Sequence, residues 1–122
     1  MNDAKNDLVL DPVAIANLRM LGEEGDDTFL REILAIYLKD VPQRVKDLKL
    51  ALARNDQPFF TRSAHTIKGS SANVGASELK NLAEALEARS KTEALAELQP
   101  AVAELEQALG RAEAQMQELL GC

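Results

Sequence analysis

Two long stretches of this chain place apolar residues at steps of three and four. In the first, Leu30, Leu34, Tyr37, Val41, Val45, Leu48 and Leu52 follow one another at 4, 3, 4, 4, 3 and 4. In the second, Leu95, Leu98, Val102, Leu105, Leu109, Ala112, Met116 and Leu119 alternate strictly between 3 and 4. That is the period of an α-helix, and it gathers each set into one stripe along the helix. A half-buried strand needs a period of two, so neither stretch reads as sheet. The chain is 46% apolar but only 3% aromatic, so its core has to be built from Leu, Ile, Val and Ala, which favours helices over a sandwich or barrel. With 122 residues it is long enough to bury one such core without disulfides.

Taken in order, residues 1–10 are polar and without sustained period and are expected to be a flexible lead-in, ordered at most near Leu8 to Leu10. Asp11-Pro12 marks a helix start, Asp as N-cap and Pro as first helical residue. A short helix runs to about Leu21, with Ile15, Leu18, Met20 and Leu21 as its apolar positions, and ends at the turn Gly22–Gly25. Asp26 or Asp27 caps the next helix, predicted from Asp27 to about Arg54. Pro42 falls inside it, and a mid-helix proline costs about 3 kcal/mol. The apolar register passes through Pro42 unbroken, which favours one helix kinked near Leu38 to Pro42 over two collinear ones. Phe29, Ile33 and Ile36 widen its apolar face, either to pack against the first helix or to dock a partner. Asn55-Asp56 is a turn. A third helix is predicted from Gln57 to Val74 with Gly75 as its C-cap, and a fourth from Ala76 or Ser77 to Arg89, with Leu79, Leu82, Ala83 and Leu86 inward. Ser90 and Glu93 have the form of a capping box, with Thr92 as rival cap, for a last helix. Pro100 lies inside that pattern, so the helix kinks there or begins near it; Gly110 weakens it mildly. Short connections make neighbours antiparallel. The expected fold is all-α: an antiparallel, up-down-up-down four-helix bundle over residues 11–120, with a short N-terminal helix across one end.

A net charge of −6 argues against nucleic acid as a partner. No apolar run approaches a membrane span, no signal peptide opens the chain, and the single cysteine, Cys122, is terminal and reads as inert. A soluble cytoplasmic protein in a reducing compartment is the default. There is no P-loop, no G-x-G-x-x-G and no nucleophile elbow, and one His with one terminal Cys makes a metal site improbable. Glu23–Glu24 and Asp26–Asp27 read as solvated turn and capping charge, and Glu97, Glu104 and Glu118 as a wet face.

That leaves residues 61–76, TRSAHTIKGSSANVGA, which hold the only histidine. On a helix, Phe60, Ala64, Ile67, Ser71 and Val74 form the core stripe. His65 lies about 100° round from Ala64, on the side of Thr61, Arg62, Lys68, Gly69 and Ala72. The imidazole therefore points away from the core, beside a cation. Gly69 removes the side chain from the next turn at a cost of about 1 kcal/mol relative to alanine, and close approach of another surface is one reason to accept that cost. An imidazole ordinarily keeps a neutral nitrogen at pH 7, and such a nitrogen is a nucleophile toward phosphoryl groups. Lys68 is placed to offset charge on the phosphoryl oxygens.

The run Ala64-His65-Thr66-Ile67-Lys68-Gly69-Ser70-Ser71-Ala72-Asn73-Val74-Gly75-Ala76 resembles the signature of the histidine-containing phosphotransfer (HPt) family, roughly A-H-x-[LI]-K-G-[SA]-[SA]-x-x-[VLI]-G-A, at every fixed position. The helix layout from about Asp11 to Leu120 is similar too. The resemblance implies a carrier that relays a phosphoryl group between receiver-domain aspartates in two-component signalling. In it His65 is phosphorylated on Nε2, Lys68 stabilises the phosphoryl charge, and Gly69 admits the receiver. Arg62, Ala72, Phe29 and Ile36 would belong to the docking surface. The implied partners are response-regulator receiver domains or a hybrid sensor histidine kinase, with no nucleic acid and no membrane. The domain is expected to be a monomer, without cofactor, autokinase activity or nucleotide site, the Mg²⁺ being the receiver's. The rivals are a helical protein-binding module with His65 incidental, a receiver-binding regulator that does not transfer, and the phosphoacceptor domain of a chemotaxis-type kinase.

Overall fold

The computed structural model describes residues 10–121. Of the expected lead-in over residues 1–10, residues 1–9 lie outside the described residues, as does Cys122; Leu10 is buried, and its amide donates to Gln115 Oε1 at 2.9 Å. Among the described residues the secondary structure is all helical: α1 (Pro12–Met20), α2 (Thr28–Arg54), α3 (Gln57–Asn73), α4 (Ser77–Arg89), a 3₁₀ turn (Leu95–Leu98) and α5 (Gln99–Leu119). Helices α2 to α5 form the four-helix bundle that the spacing predicts, and no described helix is long and apolar enough to cross a membrane.

The helix ends follow from local chemistry. The Asp11 carboxylate accepts from the Val13 amide at 3.0 Å, and Asp56 does the same for Phe59 at 3.2 Å, each followed by a proline in the first turn. At the start of α2 the two aspartates divide the work. Asp26 accepts from the Thr28 amide and hydroxyl at 2.9 and 2.6 Å, while Asp27 makes no capping bond and pairs with Arg19 at 3.3 Å. Helix α3 ends in a Schellman turn. The Ala76 amide donates to the Ser71 carbonyl at 2.9 Å and the Gly75 amide to Ala72 at 3.3 Å, with Gly75 at φ +75°. The same glycine seats α1. Its carbonyl accepts from the Asp11 amide at 2.7 Å, and a Cβ there would stand 2.6 Å from the Ala14 Cβ. The short helix thus lies over the α3–α4 turn.

Helix α2 runs unbroken through Pro42, so the alternative of two collinear helices drops out. The lost backbone bond is offset by a stripe that stays buried on both sides of the proline, from Leu30 through Val41 and Val45 to Leu48 and Ala51. On α3 the predicted stripe of Phe60, Ala64, Ile67, Ser71 and Val74 is buried throughout, with Ser63 beside it. Full burial of a side chain such as Ile67 stabilises by about 1.5–3 kcal/mol, and Phe60→Ala would cost about 3–5 kcal/mol. The buried Tyr37 hydroxyl pairs with Ser71 Oγ at 2.7 Å, joining α2 to α3.

Three expectations need correction. Met20 and Leu21 do not turn inward; they are 78% and 71% exposed, and α1 buries Ile15 and, in part, Ala14 and Leu18. Ser90 is not an N-cap with Glu93 as its partner. It closes α4, its side chain is buried, and Glu93 pairs with Arg89 instead. The last helix does not start near Ser90 either. Pro100 sits in the first turn of α5, where its missing N–H has no intrahelical partner to lose, and Leu95 and Leu98 reach the core from the 3₁₀ turn.

Candidate functional site

His65 projects from the third turn of α3, held in place by Ala64 and Ile67, whose side chains are fully buried. Its own side chain is 65% exposed. The ring is not free, however. Nδ1 lies 2.9 Å from Oε2 of Glu87 on α4, and the other oxygen of that carboxylate, Oε1, lies 2.8 Å from Nζ of Lys68. One carboxylate therefore holds both the imidazole and the ammonium. Lys68 is half-buried along its stem and is already ion-paired rather than waiting in solvent.

The electrostatics follow from this sharing. The Lys68 ammonium holds the Glu87 carboxyl below the usual carboxylate range; burial opposes it and the His65 contact assists. Glu87 in turn raises Lys68 above the usual lysine value, with partial burial opposing. Both groups are charged at neutral pH. An ionised carboxylate can only accept a hydrogen bond, so the Nδ1 contact requires a proton on Nδ1. In the neutral ring that leaves the lone pair on Nε2, the nitrogen that the contact with Glu87 does not use.

Around the ring the surface is low. Gly69 is exposed, and a Cβ built on it meets nothing within 4 Å, so packing inside the bundle does not require a glycine there. Ala72 is exposed one turn further on. Arg62 is exposed with its guanidinium 5.8 Å from the centre of the Phe59 ring. Ile36 is 63% exposed and lines an open groove of about 300 Å³ between α1, α2 and α3, whose other walls include Leu18, Ile33, Asp40, Ser70 and Asn73. Phe29 is half-buried against the Gly22 turn and does not line this groove. The widened apolar face of α2 thus divides: Phe29 and Ile33 are partly covered and Ile36 is bare. Among the described residues no group of three His, Cys, Asp or Glu side chains is arranged to hold a metal ion.

Sequence reasoning missed Glu87, although a signal was available. In an antiparallel hairpin, residues equidistant from the turn face each other, and His65 and Glu87 each lie eleven positions from Ala76.

Residues 32–119 match the family model described as Hpt domain. The chain belongs to the Hpt domain family. Among curated relatives, this HPt domain is 31% identical over 70 residues to histidine-containing phosphotransfer protein 5 of Arabidopsis thaliana, covering 55% of the chain and 45% of the relative. It is 32% identical over 65 residues to protein 4 of the same plant, covering 52% and 51%. The chain spans about half the length of the curated relatives it matches. Among solved structures, histidine-containing phosphotransfer protein B from Pseudomonas aeruginosa superposes with a TM-score of 0.71 at 29% identity, over 91% of this chain and 90% of that one. The HPT domain of a sensor hybrid histidine kinase from Shewanella gives a TM-score of 0.77 at 22% identity, over 94% and 96%, a likeness of fold.

Proposed function

We propose that this HPt domain is a phosphorelay carrier that holds a phosphoryl group on Nε2 of His65 and exchanges it with receiver-domain aspartates. The observation that carries the reading is the Glu87 contact at Nδ1, 2.9 Å long, on a ring otherwise open to solvent. It supports the tautomer in which the outward nitrogen is the nucleophile. In the accepting direction the Nε2 lone pair forms the N–P bond, the acyl phosphate O–P bond breaks, and the partner's aspartate leaves as a carboxylate. The reverse step restores both. Lys68, beside the ring, offsets charge on the phosphoryl oxygens. The Mg²⁺ that this chemistry uses belongs to the receiver, and the domain needs no nucleotide or cofactor of its own. It acts as a phosphotransfer intermediate rather than an enzyme. Response-regulator receivers, or the receiver of a hybrid sensor kinase, would dock on the face formed by Gly69, Ala72 and Arg62, with Ile36 and its groove at the edge.

The test is to incubate the protein with a phosphorylated receiver domain and Mg²⁺ and to look for acid-labile, alkali-stable label. Wild type takes up label and His65→Gln does not. Label on neither protein despite binding of the receiver would leave a helical binding module with His65 incidental, and label persisting on His65→Gln would move the phosphoacceptor to another residue.

A further inference from the structure

Behind Glu87 lies a partly buried chain of hydroxyls that joins α3 to α4. Ser90 closes α4 one turn after Glu87 and is only 2% exposed. Its Oγ donates to the Glu87 carbonyl at 2.8 Å and lies 2.7 Å from Oγ1 of Thr61 on α3. Thr61 stands one turn before His65. Its hydroxyl is 3.0 Å from the Gln57 carbonyl and receives the Gln57 amide nitrogen at 3.1 Å.

Proton counting fixes the direction of this chain. Each hydroxyl has one hydrogen. If Thr61 gave its proton to Gln57 and Ser90 gave its own to Glu87, two oxygens would face each other at 2.7 Å with no hydrogen between them. The Gln57 carbonyl, in the first turn of α3, has the Thr61 amide as its regular helical partner. The Glu87 carbonyl has no such partner. It is one of the orphan carbonyls at the end of α4, and the following amides, Ser90 and Lys91, go to Leu86 and Ala88. The arrangement that leaves nothing buried unpaired runs Gln57 Nε2–H to Thr61, Thr61 O–H to Ser90, and Ser90 O–H to the Glu87 carbonyl.

We infer that Thr61 and Ser90 are positioning residues for the His65 nucleophile. They lock the last turn of α4 to α3 one turn from where the Glu87 carboxylate meets Nδ1, and so hold the imidazole in its Nδ1–H tautomer. This deepens the carrier reading and rests on it for its biological meaning, but it is testable without phosphate. Because His65 is the only histidine, protein labelled with ¹⁵N-histidine gives one imidazole, whose two nitrogen shifts report the tautomer directly. Ser90→Ala and Thr61→Val are each expected to lower the ratio of the Nδ1–H to the Nε2–H form by about three- to tenfold. Thr61→Ser, which keeps the hydroxyl, retains the wild-type ratio. Tyr37→Phe removes the other buried hydroxyl pair and serves as the control for general loosening; it too retains the ratio. Wild-type shifts in both Ser90→Ala and Thr61→Val would overturn the inference, as would an equal change in Tyr37→Phe. Circular dichroism selects folded variants, and Thr61→Val, at a half-buried position, carries the test where Ser90→Ala does not fold. A wild-type protein that shows these shifts but takes no phosphoryl group from any receiver sinks the carrier reading alone.

Discussion

Gly69 and Gly110 form a natural pair for separating what the bundle needs from what a partner needs. Both lie inside helices, both are exposed, and a Cβ added to either meets nothing within 4 Å. Alanine in a helix interior is better than glycine by about 0.8–1.0 kcal/mol. Gly69→Ala and Gly110→Ala should therefore each raise stability by about 1 kcal/mol, or about 4 °C in Tm for a domain of this size. Their effects on phosphoryl uptake should diverge. Gly69 follows Lys68 and lies one turn from His65, whereas Gly110 is on α5, which contributes no residue to the site. Forcing a side chain into a well-packed contact costs about 1–3 kcal/mol, so Gly69→Leu should slow uptake from a phosphorylated receiver by about 5- to 150-fold. Gly110→Leu should not change it. Urea unfolding with initial rates of label transfer checks both arms. Destabilisation by Gly69→Ala would show that the bundle itself requires the glycine. Unimpaired transfer by Gly69→Leu would remove the case for a receiver approaching over this turn.

Further predictions follow from the shared carboxylate and the α3–α4 turn. Glu87→Gln offers one acceptor oxygen where the carboxylate offers two, so either His65 or Lys68 loses its partner. Such a contact near the surface is a modest one, so transfer should fall by up to about fivefold, read from initial rates; complete loss would mean that Glu87 does more than orient the ring. In urea titrations across pH, the stability gap between wild type and Glu87→Gln should have a plateau. Glu87 is lowered in the folded state, so its contribution is present above its ordinary value of 4.5 and is lost as pH falls through the lower folded value. Lys68 is raised, so its share is complete below 10.5 and is lost as pH rises through the higher folded value. A gap that stays constant down to about pH 2 would show that the ion pair contributes nothing. Gly75→Ala places a Cβ at φ +75° and 2.6 Å from Ala14, and should cost about 2–4 kcal/mol by chemical denaturation. A loss below about 1 kcal/mol would mean that the turn and α1 shift freely.

Much of this molecule was legible because helix periodicity reports burial directly. The α2, α3 and α5 stripes follow from residue steps alone, since apolar side chains one turn apart must share a face. Pro42 was also legible, as an interruption that the stripe overrides. What failed was local chemistry decided by tertiary contacts. Ser90 with Glu93 has the capping-box spacing, but a half-buried hydroxyl on α3 and an arginine on α4 claim the two side chains. Met20 and Leu21 are apolar without being inward, because α1 is a short helix lying over a turn and buries only one side. At the site, His65, Lys68 and Gly69 share one face of one helix and can be found by spacing; Glu87 comes from another helix and needs the register of the hairpin.

That division also bears on how a bundle orients an exposed imidazole. The neighbours of His65 one turn away on its own helix are Thr61, Arg62, Lys68 and Gly69, and none of them can place a carboxylate at Nδ1. The acid has to come from across the helix pair, and a glutamate stem reaches only if the two backbones run close. The α3 side of the site supplies Ala64, and α4 supplies Ala83, both small and buried. A larger residue at either of them would push α4 outward and lengthen the Glu87 contact before it exposed the core. On the inference above, the tautomer of His65 depends on helix packing, and a packing change too small to unfold the domain should register in the two imidazole nitrogen shifts.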